Sequence, residues 1–213
     1  MKLEGLKICF LGDSITDIFN ATAPEKVYHQ VIKKHYGLAE AYNYGVSGTR
    51  IARQRNLTTE RPKNDLDFQL REQLMYRDVD AVVVFGGTND YGHGDSAFGD
   101  VDSDDEDIYT FCGAVNRLIT VLKQDYPKAE LVFMTPLHRK GEEEPRREGG
   151  KPLADYAHAI AAICARRGVK VIDLFAINPI DPDDVALLSD GLHPSDAGHE
   201  ILARTVGEAL LAL

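Results

Sequence analysis

Ile8-Cys9-Phe10-Leu11-Gly12-Asp13-Ser14, near the start of the 213-residue chain, carries four apolar residues into a short polar turn. An apolar run without alternation, closed by Gly-Asp, suits a strand covered on both faces. The serine that follows then stands where the strand gives way to a helix. Candidate strands recur at 41–46, 81–85, 131–135 and 169–174, most of them rich in Val, Ile, Leu or Phe and bounded by Gly, Pro or Asp. The first run is taken as 6–11.

Helical periodicity fills the gaps. Over 107–125, Ile108, Phe111, Cys112, Val115, Leu118, Ile119 and Leu122 recur on one face of a 3.6-residue repeat. A second helix begins at the N-cap candidate Ser195 and carries Leu202, Val206, Ala209, Leu210 and Leu213 on one side. Weaker patterns lie at 24–36, 65–76 and 153–166. Alternating strands and helices imply a parallel sheet with right-handed crossovers. The expected fold is α/β: one domain over 1–213, a three-layer α/β/α sandwich whose five-stranded parallel sheet has the flavodoxin-like order 2-1-3-4-5.

Composition narrows the classes. The sequence is 44% hydrophobic and 27% charged, as in an ordinary globule. A formal charge of −10 argues against a nucleic-acid partner and against an anionic membrane surface. Cys9, Cys112 and Cys164 are too scattered for a disulfide framework or a zinc site. Glu4 and Lys7 interrupt the first residues, and no run approaches the roughly 18 apolar residues of a membrane span. A cytoplasmic enzyme is the expectation. Oligomeric state is not readable.

In a sheet of this kind ligands bind outside the carboxyl ends of the strands. Ser14 follows the first strand, Gly48 the second and Asn89, in Gly86-Gly87-Thr88-Asn89-Asp90, the third. Further on, Asp190-Gly191-Leu192-His193 sets a carboxylate three residues before an imidazole, close enough for one to orient the other. A serine hydroxyl is a weak nucleophile until a base takes its proton, and a neutral imidazole suits that task. The first and fifth strands would stand three steps apart, roughly 14 Å at ~4.8 Å per step. The connection 175–190 spans that gap at a third of its extended reach of ~3.3 Å per residue.

These four segments, in order and spread over nearly the whole chain, resemble the four blocks of the SGNH hydrolases, the GDSL-type esterases and lipases. Ile15 stands where that signature has Leu. The resemblance implies Ser14 as nucleophile, His193 as base and Asp190 as its orienting partner. It also implies an oxyanion hole of the Ser14 and Gly48 N–H groups and the Asn89 side-chain amide. It calls for no cofactor and no metal. The expected activity is a serine esterase acting on a small ester, an acylated sugar or lipid-like ester, with a short acyl group such as acetyl.

Other residues carry weaker expectations. His93 and Arg50 are candidates for substrate contact, though solvated charge is the simpler reading of Arg50. His29, His35, His158 and His199 read as surface or interface residues. The polar stretches 91–107 and 138–152 are lids, binding loops or plain surface. Two rivals remain. One is a metal-dependent phosphoesterase using Asp13, Asn89, Asp190 and His193; the other is a non-catalytic carbohydrate- or lipid-binding module.

Overall fold

A computed structural model describes residues 1–56 and 65–213. Its sheet is β1 (Lys7–Gly12), β2 (Glu40–Gly45), β3 (Ala81–Phe85), β4 (Glu130–Met134) and β5 (Lys170–Ile172). All neighbours are parallel and the order is β2-β1-β3-β4-β5, as expected. Successive side chains of a strand point to opposite faces, so each central strand feeds two cores. Cys9, Leu11, Val82, Val84, Leu131 and Phe133 pack with α4 (Phe111–Asp125) and α5 (Leu153–Arg166). Ile8, Phe10, Val83, Phe85, Val132 and Met134 pack on the other side with α1 (Tyr28–Tyr36) and α7 (Asp196–Ala212). Two apolar layers on one sheet make the sandwich. No helix among the described residues is long and apolar enough to cross a membrane.

Element boundaries depart from the periodicity where side chains cap the backbone. The fifth strand stops at Ile172, because Asp173 accepts from Ala176 N–H and opens a short helix, α6 (Leu174–Ile177). α4 starts at Phe111 rather than 107: Thr110 accepts from Gly113 N–H as N-cap. The expected helix at 65–76 contracts to α2 (Phe68–Glu72), capped by Asp67, which accepts from Leu70 N–H at 3.0 Å. A 3₁₀ turn, Pro24–Lys26, precedes α1. The start of the 91–107 stretch is helical, since α3 spans Thr88–His93.

What matters for the site is register. Gly12 pairs with Gly45 and with Phe85, and Phe85 with Met134, so four strands end level. At that edge the chains are crowded. A Cβ on Gly45 would lie 2.3 Å from Asp17 N, leaving no room for any other residue. Arg71 fills the space beneath. It is buried, donating from Nη1 to Gly12 O at 2.8 Å and to Tyr44 O, and from Nη2 to Thr49 Oγ1 at 2.8 Å. One guanidinium thus meets the carbonyls at the ends of β1 and β2: it gives Tyr44 O a donor and adds a second to Gly12 O, which also accepts from Val46 N–H at 3.2 Å.

Candidate active site

The loops from that edge bring together residues that are far apart in sequence. Ser14 Oγ lies 2.8 Å from His193 Nε2, and His193 Nδ1 lies 2.6 Å from Asp190 Oδ2. Asp190 is one side of the tight turn 190–193, where Oδ1 also accepts from Leu192 N–H at 3.0 Å and His193 N–H at 2.7 Å. A carboxylate only accepts, so Nδ1 carries the imidazole proton and Nε2 is left to accept from the Ser14 hydroxyl. Burial disfavours the Asp190 charge, but the His193 N–H, its ring and the Leu192 N–H outweigh it and hold the carboxyl below its ordinary value. The pair is therefore set for proton abstraction from Ser14.

The His193 turn is tied to the loop after β1. Asn20, at a positive φ of 66°, donates its amide to His193 O at 3.0 Å and to Ser189 Oγ at 3.3 Å. Thr22 donates its N–H and hydroxyl to the Asp196 carboxylate at the start of α7. Phe19 lies against the imidazole, ring centroids 4.4 Å apart. None of these three residues was a sequence candidate.

Opposite lie the donors. Gly48 has φ 77°, a left-handed conformation that favours glycine, and it turns the loop after β2 toward Ser14. Asp17 fixes that loop by accepting from Ser47 N–H at 3.1 Å and Ser47 Oγ at 2.8 Å. Asp90 fixes its far end through Ile51 N–H and Ala52 N–H, at 3.0 and 2.9 Å. Burial pushes the Asp90 carboxyl up to about 6 despite those two bonds. Neither Ser14 N–H nor Gly48 N–H has an acceptor among the described residues. Asn89, in the first turn of α3, gives one amide hydrogen to Thr49 O at 3.0 Å, which leaves its second for the cleft.

Asn89 is itself oriented. Its Oδ1 is 3.0 Å from His93 Nε2, and His93 Nδ1 is 2.9 Å from Arg50 Nη1. A guanidinium has no lone pair to offer, so Nδ1 accepts, His93 is neutral, and Nε2–H donates to Asn89 Oδ1. The Asn89 nitrogen is thereby turned the other way. Arg50 is thus neither a solvated charge nor part of the cleft wall. It is 6% exposed, lies behind His93 and faces Asp65 at 3.4 Å. His93 does line the cleft.

The cleft holds about 400 Å³ and is walled by Ser14, Gly48, Asn89 and His193 together with Phe19 and Leu192. Arg139, from the 138–152 loop, and Gly92 close one side. The ligand set of the phosphoesterase rival does not converge. Asp13 is buried with Oδ1 on Ile15 N–H, and burial pushes its carboxyl up to about 7 despite that bond and nearby Arg71. Asp190 is committed to His193. Among the described residues no three His, Cys, Asp or Glu side chains are grouped to hold a metal ion.

Two histidines differ from the sequence reading: His29 and His199 are buried, not surface residues. His29 Nε2–H donates to Thr16 O at 3.1 Å while its Nδ1 accepts from Gln30. His199 Nδ1 accepts from Tyr28 N–H at 3.4 Å. His29 ties α1 to the turn after Ser14, and His199 ties α7 to the start of α1. His35 and His158 are exposed, as expected.

Residues 10–201 match the GDSL-like lipase/acylhydrolase family. No curated protein matches the chain. One solved structure is 32% identical, with a TM-score of 0.87, over 100% of this chain and 99% of its own. A protein from Lactobacillus plantarum is 29% identical, with a TM-score of 0.81, over 98% of each chain. The aryl esterase of M. smegmatis is similar in fold: 18% identity and a TM-score of 0.72, over 98% of this chain and 100% of its own.

Proposed function

The chain belongs to the GDSL-like lipase/acylhydrolase family, and from that footing we propose that it is a serine esterase working through a Ser14 acyl-enzyme. The observation that carries the reading is the unbroken Ser14–His193–Asp190 series, with contacts of 2.8 and 2.6 Å.

In this reading Ser14 Oγ attacks the ester carbonyl carbon as His193 Nε2 takes the hydroxyl proton. The carbonyl π electrons move onto oxygen, where the N–H groups of Ser14 and Gly48 and the Asn89 amide meet the developing charge. Each such donor is typically worth roughly 10²–10³ in rate. Collapse expels the alcohol, which takes the proton from Nε2. Water then attacks the acyl-enzyme, with His193 again accepting and returning the proton, and the acid leaves with Ser14 restored. Asp190 keeps its charge throughout and stabilises the imidazolium.

A short acyl group, such as acetyl, is part of the proposal. The cleft of about 400 Å³ sits near the lower end of ligand sites, and Phe19 and Leu192 are its large apolar side chains. The test is Ser14→Ala assayed on p-nitrophenyl acetate. Turnover should fall to the level of the uncatalysed reaction; wild-type turnover in the variant would end the reading.

A further inference from the structure

Arg139 is the one fully charged side chain on the described cleft wall, and its surroundings leave that charge unanswered. Nη1 donates to Thr88 Oγ1 at 3.1 Å and to Thr88 O at 3.3 Å, which holds the guanidinium one residue from Asn89. Among the described residues, Nε is buried with no acceptor and Nη2 has none either. The nearest acid in sequence, Glu142, does not answer it: Oε2 accepts from the Arg139 backbone N–H at 2.6 Å, and Oε1 faces His138. Elsewhere Arg53, Arg77, Arg117 and Arg166 each pair with a carboxylate.

Further positive charge lies next to it. Arg139 and Arg146 both stack on the Tyr91 ring, 5.5 and 5.7 Å from its centroid. Arg146 is anchored to that site, donating from Nε to Tyr91 Oη at 3.0 Å and from Nη2 to Lys140 O at 2.8 Å. Burial and the Arg146 charge both work against the Arg139 cation, and Tyr91, Asp13 and Asp190 offset this only in part. Gly92 permits the arrangement: a Cβ there would lie 3.0 Å from Arg139 Nη1. A half-buried cation without a counterion is costly, and a bound anion removes that cost. The chain's net charge of −10 makes an unanswered cation beside the reactive serine all the more pointed.

We propose that Arg139 is a specificity residue that binds an anionic group of the ester, so that the substrate class is esters carrying a carboxylate or a phosphate within a few bonds of the scissile carbonyl. The inference rests on the Ser14 esterase reading and deepens it. Guanidinium recognises both anions through charge-assisted hydrogen bonds, so the chemistry fixes the charge and the experiment identifies its carrier.

The experiment compares kcat/KM on matched esters. One arm pairs p-nitrophenyl butyrate with the mono-p-nitrophenyl ester of glutaric acid, with self-hydrolysis subtracted. The other pairs an acetylated sugar with the same acetylated sugar bearing a phosphate. Wild-type enzyme should favour the charged member at least about tenfold in one arm, and that arm names the anion. Arg139→Gln, which keeps a donor for Thr88, should lower kcat/KM on the charged ester by roughly 10–100-fold, while the neutral ester stays within about threefold. Arg139→Lys should recover part of the loss. No charge preference in either arm of the wild type overturns the proposal without any variant. An equal fall on charged and neutral esters in Arg139→Gln overturns it too, since a general structural role would do that. Failure of the underlying reading looks different: Ser14→Ala would then turn over all four esters as the wild type does.

Discussion

His93 Nδ1 sits 2.9 Å from the Arg50 guanidinium, and that contact decides which way a side chain on the far side of the ring faces. Because Nδ1 must accept, Nε2–H points at Asn89 Oδ1, and the Asn89 amide nitrogen is presented to the cleft. The amide proposed as an oxyanion donor is held by a relay that begins at a buried cation.

Replacing His93 by Leu should therefore act through Asn89. We expect kcat to fall by roughly 10–100-fold with KM within a few-fold, against roughly 10²–10³ expected for Asn89→Ala alone. In the double variant the losses should not add, because the relay has nothing left to orient. Additive losses in kcat would separate His93 from Asn89.

Asp190→Asn should leave Ser14 in place and turn the imidazole to the wrong tautomer. A fall in kcat of roughly 10³–10⁴ is expected by analogy with other triads. The carboxyl of Asp190 is held below its ordinary value, so it is ionised throughout the working range and should add no second acid limb to the kcat/KM profile. A wild-type profile with two ionisations on the acid side would contradict this.

Much of this arrangement was legible in the sequence. Short runs, mostly apolar and bounded by Gly, Pro or Asp, indicated the strands, and their ends indicated the common edge to which Ser14, Gly48 and Asn89 belong. What stayed hidden depends on tertiary contact. Arg71 looks like any arginine in a helical stretch until the carbonyls of Gly12 and Tyr44 converge on it. Asn20 and Phe19 lie in a turn with no periodicity, and only the arrival of His193 gives them roles. His29 and His199 read as surface or interface residues but are buried, because a helical repeat does not reveal that α1 meets the turn after Ser14 or that α7 meets the start of α1. The 138–152 loop is a charge run in sequence, yet it carries Arg139 into the cleft.

Arg71→Met should destabilise the fold by at least about 1–3 kcal/mol, the cost of one buried acceptor left without a donor. Thermal unfolding should show it as a Tm lower by roughly 2–12 °C at 2–4 °C per kcal/mol. An unchanged Tm would mean that the edge carbonyls are satisfied some other way.

Buried acids and buried imidazoles give opposite pH dependences of stability. Burial lowers His29 and His199 from 6.5 to about 4, so the unfolded chain takes up their protons first and stability is lost as pH falls from 6.5 toward 4. Burial raises Asp13 from 3.8 to about 7, so here the folded chain takes up the proton first and stability is lost as pH rises through that value. Asp13→Asn keeps an acceptor for Ile15 and removes the titration. Its Tm relative to wild type should therefore be more favourable at pH 8 than at pH 5; a difference independent of pH would contradict the assignment.

Ser14 is proposed as a nucleophile activated by His193, and covalent labelling tests that role most directly. Intact and peptide mass spectrometry after treatment with a fluorophosphonate should find one adduct, on Ser14, formed far more slowly in His193→Ala. An unlabelled protein, a label on another residue, or equal labelling with and without His193 would contradict the account.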